Sequence, residues 1–283
     1  MTDILGPSLS RRRLRTVLTS LRRQHSRLTD EQISTEMGWS VSKTRRLLAG
    51  DVSISHNDLR QLLTLLDLTD SDRISNLLAL AKTARRQHWA ARYRHALSPS
   101  HMEMLGWEDD AVHLTQYHPY LLPELICTGD YARAAMAADP WNRNNQRIID
   151  DRVAALMARQ QRVLNSGRSV TILLDARTLP NDNQMLRQQL DRIGTLPPHI
   201  DLRILPTDRA VMSCLSGPIT THEFQNDPTV AYVNSAGNDV RVIEDPDLTA
   251  SYMRLLADLH QHSYPAPPRP YDLPHHAAVA PTA

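Results

Sequence analysis

His113, His118 and Cys127 stand close together, spaced H-x4-H and H-x8-C. Imidazole and thiolate are common zinc ligands, but this spacing matches no structural zinc pattern and no fourth ligand is apparent. No metal site is expected. His118 has another reading, because it stands with Tyr117, Tyr120 and Glu124 in YHPYLLPE, where Pro119 and Pro123 impose irregular backbone. These four side chains could line a ligand pocket. Imidazole titrates near neutrality, so His118 with a nearby carboxylate is also the one candidate for acid–base catalysis. The pairs Asp109-Asp110 and Asp150-Asp151 are read as solvated charge or as partners of a helix N-terminal dipole, since adjacent helical residues do not face each other. Asp175 follows an apolar strand pattern, where it could serve a site or start a turn. Cys214 has no basic neighbour nearer in sequence than Arg209, so nothing marks an activated thiolate. The chain has nine glycines and no glycine-rich phosphate loop or G-x-S-x-G, so no nucleotide cofactor or serine-hydrolase elbow is expected.

A second chemistry is carried by LTDEQISTEMGWSVSKTRRLLAGD, residues 28–51. Two short helices are joined at Gly38, a residue able to take the left-handed conformation of a helix end. Thr29 and Gln32 have the spacing of a capping box, and Ser40 can cap the second helix. Ile33, Met37, Trp39 and Leu47 are placed for contacts between the helices. Val41, Ser42, Lys43, Arg45 and Arg46 would face outward, where Arg can grip guanine through two bonds and Lys or Ser can hold phosphate. Arg12 and Arg22, with their neighbours Arg11, Arg13 and Arg23, would add sequence-independent contacts to the DNA backbone.

The elements that must position these residues follow from periodicity. Leu14, Val17, Leu18 and Leu21 mark one face of a first helix. Leu59, Leu62, Leu63 and Leu66 mark a fourth, and Ile74, Leu77, Leu78 and Ala81 a fifth, which could run on through KTARRQHWAARYRHAL. After a Pro-Ser break near residue 99, a helix is expected from about Thr128 to Met136. A long one follows from Ile148 to Leu164, with Ile149, Val153, Leu156, Met157 and Val163 inward. SVTILLDART, HIDLRILP, GPITTHEF, TVAYVNS and NDVRVIED read as strands, NQMLRQQLDRIGTL as a helix, and DPDLTASYMRLLADLHQHS as a last helix. The fold class is therefore mainly α with an α+β C-terminal part. The expected organisation is a flexible arm at 1–8, a five-helix domain at 9–85, a helical linker at 86–104, an α+β domain at 105–264 and a disordered tail at 265–283.

The net charge of +1 hides a division. Residues 1–98 hold 17 Lys+Arg against 9 Asp+Glu, and the remainder 15 against 22, so a basic third precedes an acidic body. No apolar run approaches membrane-spanning length, and no apolar stretch follows the N-terminal charges as in a signal peptide, so no membrane association and a cytoplasmic location are expected. The two cysteines, far apart, are expected as free thiols.

Residues 28–50 and the five-helix layout resemble the Xre-type (lambda-repressor-like) helix-turn-helix domain. YHPYLLPELICTGDYARA, DDRVAALMARQQRVL, VTILLDART, LRILP and VAYVNSAGNDVRVIEDPDLTASYMRLLADL, in that order, resemble the antitoxin-like domain that follows it in regulators of actinobacteria. The resemblance spans roughly residues 6–262. It implies a homodimer on double-stranded DNA, with recognition helices in successive major grooves, and a C-terminal domain that binds a small-molecule effector or a small protein partner. In that family Thr44 usually gives way to a β-branched apolar residue, Leu48 often to Glu, His118 to Glu and Cys127 to Gln. A Thr at that inward position needs a local hydrogen bond. Two alternatives stand beside this reading, the first motivated by Thr44, Leu48 and His118. One is a regulator-derived enzyme or ligand-binding protein of a secondary-metabolite pathway that keeps the helix-turn-helix fold without DNA binding. The other is an antitoxin-like protein acting on one partner.

Overall fold

The computed structural model describes residues 5–24, 28–50, 52–139, 145–178, 183–206, 217–235 and 239–266. The chain divides into two compact units, residues 1–91 and 92–283.

The first unit holds five helices: α1 (Pro7–Gln24), α2 (Asp30–Met37), α3 (Val41–Leu48), α4 (His56–Leu65) and α5 (Ser71–Ala84). The apolar positions that recur at helical spacing converge on one core. Leu14, Leu18 and Leu21 of α1 meet Ile33, Leu47, Leu59, Leu62, Leu63, Leu77 and Leu78. Side-chain oxygens from Thr29, Ser40, Ser55 and Asp70 cap α2 to α5 by accepting backbone N–H bonds in the first turn. The fifth helix is shorter than its sequence allows. α5 ends at Ala84. The amide of Ala90 then donates to Nδ1 of His88 (3.3 Å) and that of Ala91 to its carbonyl, which winds a 3-10 turn over Trp89–Tyr93.

The second unit begins with α6 (Pro99–Glu108), which crosses the boundary expected at 105. The Ser98-Pro99 pair starts this helix, with Ser98 as its cap and Pro99 in the first turn, where the missing N–H has no cost. There follow β1 (His113–His118), α7 (Gly129–Ala138), α8 (Gln146–Leu164), β2 (Ser169–Asp175), α9 (Asn183–Gly194), β3 (Ile200–Leu205), β4 (Ile219–Glu223), β5 (Val230–Ser235), β6 (Asp239–Ile243), α10 (Pro246–Gln261) and β7 (Tyr264–Pro265). The strands form one mixed seven-stranded sheet in the order β6-β5-β4-β1-β2-β3-β7. β1, β2 and β3 are parallel, and β4 returns antiparallel on the other side of β1, with Tyr117 opposite Ile219 and His113 opposite Glu223. α10 covers one face through Leu256 and Leu259 over Tyr117, Leu173 and Ile219. The other face carries Gln116, His118, His222 and Tyr232, the last with its ring 6.2 Å from that of Trp107 on α6. Neither β1 nor β7 was expected. Only Tyr264–Ala266 of the region around the expected tail are described, and 267–283 lie outside the described residues. No helix among the described residues is long and apolar enough to cross a membrane.

Candidate functional site

In the first unit the helix pair α2–α3 is built as its sequence demands. The capping box closes, with Gln32 N donating to Thr29 Oγ1 (3.3 Å) and Thr29 N to Gln32 Oε1 (2.8 Å). Gly38 turns the chain at φ +63°. Thr44 is fully buried, and its hydroxyl lies 2.8 Å from that of Ser34, which in turn donates to the Asp30 carbonyl at 2.5 Å. That is the local partner its inward position requires. Leu47 and Leu48 are also buried.

Ser42, Lys43, Arg45 and Arg46 are consequently exposed on the opposite face, with Val41 half-buried. Carboxylates attend most of these cations. Arg45 reaches Asp30 (3.2 Å) and Glu31 (3.3 Å), and Arg22 reaches Asp30 (2.7 Å). Lys43 lies 4.4 Å above the Trp39 ring and 3.6 Å from Asp58. Arg46 has no hydrogen bond or ion pair among the described residues. Arg12 departs from expectation: it is 6% exposed, so its guanidinium is buried rather than offered to a DNA backbone.

In the second unit the four residues of the expected pocket separate. Consecutive strand residues point to opposite faces. Tyr117 therefore lies in the core beneath α10, while His118 is buried on the far face. Tyr120 is 60% exposed. His118 and Glu124 do share an environment, and it is organised by a residue that sequence reasoning missed. Arg159 of α8 is 1% exposed. Its Nε donates to both oxygens of Glu108 (3.0 Å each), its Nη2 to Glu108 Oε2 (2.7 Å) and its Nη1 to Glu124 Oε2 (2.5 Å). Burial alone would raise the pKa of Glu108, but Arg159 and His222 outweigh it and hold the carboxyl at about 2. Glu124 is lowered in the same way, by Arg159, His118 and His101 against burial. Burial pushes His101, His118 and His222 down, towards neutral imidazole.

Three glutamines fix the loop after β1 that carries Glu124. Gln116 accepts from Leu125 N (3.0 Å), Gln160 donates to the carbonyls of Glu124 (2.6 Å) and Cys127 (2.8 Å), and Gln189 donates to that of Ile126 (2.7 Å). Beside this loop opens a cavity of about 40 Å³, bounded by His101, Leu105, Glu124, Met136, Leu156 and Arg159 among others.

Residues 102–266 match the family of a domain of unknown function, DUF5753, over more than half of the chain. The chain belongs to that family. Residues 12–74 match a helix-turn-helix domain, the region of α1 to α5. No curated protein and no solved structure matches the chain.

Other constellations in the DUF5753 domain resolve into structural roles. His113 points away from His118, with Nδ1 2.9 Å from Ser169 Oγ and Nε2 3.2 Å from Thr115 Oγ1. No group of three or more His, Cys, Asp or Glu able to hold a metal occurs among the described residues. Cys127 is a buried free thiol whose pKa burial pushes up to about 12, and Cys214 lies outside the described residues. Asp150 pairs with Arg133, Asp151 with His95 (2.7 Å) and Asp109 with Arg162 (2.9 Å). Asp175 starts a turn, accepting from Arg177 N at 2.9 Å. The signal for Arg159 and Gln160 was present but went unread. They stand three and four residues beyond Leu156 and four and three before Val163, on the inward face of α8.

Proposed function

We propose that the chain is a sequence-specific DNA-binding transcriptional regulator of the Xre type whose DUF5753 domain binds a small-molecule effector. The observation that carries the first half is the outward row Ser42, Lys43, Arg45 and Arg46 on the second helix of a helix-turn-helix. Such a helix enters the major groove and reads base edges. An eight-residue helix contacts only a short half-site, so the working form is a homodimer on a partly palindromic sequence, acting in the cytoplasm. The effector half is supported by a cavity whose wall carries an ionised carboxylate and a neutral imidazole among apolar side chains. A small protein partner is the alternative to an effector.

The carboxylates of Asp30, Glu31 and Asp58 beside α3 favour a second reading, a helix-turn-helix kept as scaffold without DNA binding. Fluorescence anisotropy separates the two. The protein is titrated with its own upstream DNA and with scrambled DNA at several salt concentrations. The regulator reading requires selective binding whose log K falls linearly with log salt. Weak or unselective binding makes α2–α3 a scaffold. Arg46→Ala is expected to cost about 1–3 kcal/mol on the specific site if it reads a base. Arg22→Ala is expected to weaken specific and scrambled DNA alike.

A further inference from the structure

Arg159 grips its two carboxylates unequally. Glu108 is 3% exposed at its side chain and accepts three of the bonds, whereas Glu124 is 28% exposed and accepts one, through Oε2. Glu124 Oε1 accepts no hydrogen bond among the described residues, and Glu124 lines the cavity. Because the guanidinium is already committed to these two groups, it is not poised for an anionic ligand. His101, on the same wall, uses only its backbone N–H in the α6 cap, so its ring is available to a guest.

The charge around the cavity points the same way. Of the ionised side chains that line the cavity, Arg159 is answered by Glu124 in the wall and by Glu108 behind it, and Arg152 by Asp139, which leaves one carboxylate in excess across these pairs, with His101 neutral. Leu97, Leu105, Met136 and Leu156 make up apolar wall. A cavity of about 40 Å³ admits a molecule of a few heavy atoms.

We propose that this cavity binds a small primary ammonium ion with a short apolar chain, its N–H groups donated to Glu124 Oε1 and the His101 ring and its carbon chain laid against Leu97, Leu105 and Leu156. This rests on the effector reading and names its ligand class.

The test is calorimetric titration of the full chain with n-butylammonium chloride, beside sodium butyrate and n-butanol, at neutral pH. Saturable butylammonium binding is expected, with the two analogues weaker by about tenfold or more. Glu124→Gln should weaken butylammonium by about tenfold or more. Ala155→Leu, which fills the cavity and leaves the Arg159–Glu124 pair intact, should abolish binding while the circular dichroism spectrum is retained. Butyrate or butanol binding as tightly as the amine, and lost in Ala155→Leu, overturns the ammonium class and leaves the effector reading standing. Binding that Glu124→Gln leaves unchanged also overturns it. If none of the three binds, the proposal fails. If Ala155→Leu also leaves DNA affinity unaltered, the effector reading fails with it.

Discussion

Arg159 is buried in the DUF5753 domain with its guanidinium bonded to both Glu108 and Glu124. It neutralises two carboxylates, Glu108 shut away from water and Glu124 only partly exposed, so removing it leaves both uncompensated. Arg159→Met is expected to destabilise the domain by about 3–5 kcal/mol, the range for breaking a buried pair from one side, measured by urea unfolding of the full chain. The same cluster sets the response to acid. Glu108 is held at about 2, below its ordinary 4.5, so its stabilisation is complete above pH 4.5 and is lost as pH falls towards 2. His118 and His222 are lowered from 6.5, so below that pH the unfolded chain takes up protons that the folded chain resists, and stability again falls. The two effects share a sign. The urea midpoint of the domain is expected to drop steadily between pH 7 and 4, and His222→Gln should flatten the upper part of that slope. A midpoint independent of pH over this range would contradict the burial of these imidazoles.

At the scale of elements, the contact between α2 and α3 is sealed by two hydroxyls. Ser34 and Thr44 satisfy each other at 2.8 Å inside an otherwise apolar interface. Truncating one leaves the other with a lost partner, whereas replacing both removes the need. Thr44→Val alone is expected to cost about 0.5–1.5 kcal/mol, since Ser34 keeps the Asp30 carbonyl, and Ser34→Ala/Thr44→Val less than the sum of the singles, read as a double-mutant cycle in thermal unfolding. Strict additivity would show that the hydroxyls do not interact. This unit was legible in the sequence because its helices repeat Leu at core spacing and announce their ends with Thr29, Gly38 and Ser40. β1 was not legible. Its residues HLTQYH place Gln116 and His118 against polar partners rather than a greasy wall, so the apolar alternation that marks a strand is absent. The site was hidden for the same reason. An Arg within a helix reads as surface charge until Glu108, 51 positions earlier, is seen to meet it. Tyr117 was grouped with His118 by proximity and by the prolines that follow, and the pleat of β1 divides the two.

Across the whole molecule, two compact units of different character share one chain. The first has a core of leucines and isoleucines, and the second adds a buried ionic cluster to its sheet. Heating should therefore give two calorimetric transitions rather than one. Acidification from pH 7 to 5 should lower the transition of the sheet-bearing unit more than that of the helical unit. A single cooperative transition at every pH would contradict separate units. The place of β1 in the sheet has a consequence for how the chain is made. On one side β1 pairs with β2, and on the other His113 meets Glu223, 110 positions later. The five helices close on local contacts and can form as soon as they leave the ribosome, whereas the strand that anchors the ligand-facing loop lacks one neighbour until most of the chain has been synthesised. A polypeptide released early, between β3 and β4, would carry a finished helix-turn-helix attached to a sheet with an open edge at β1.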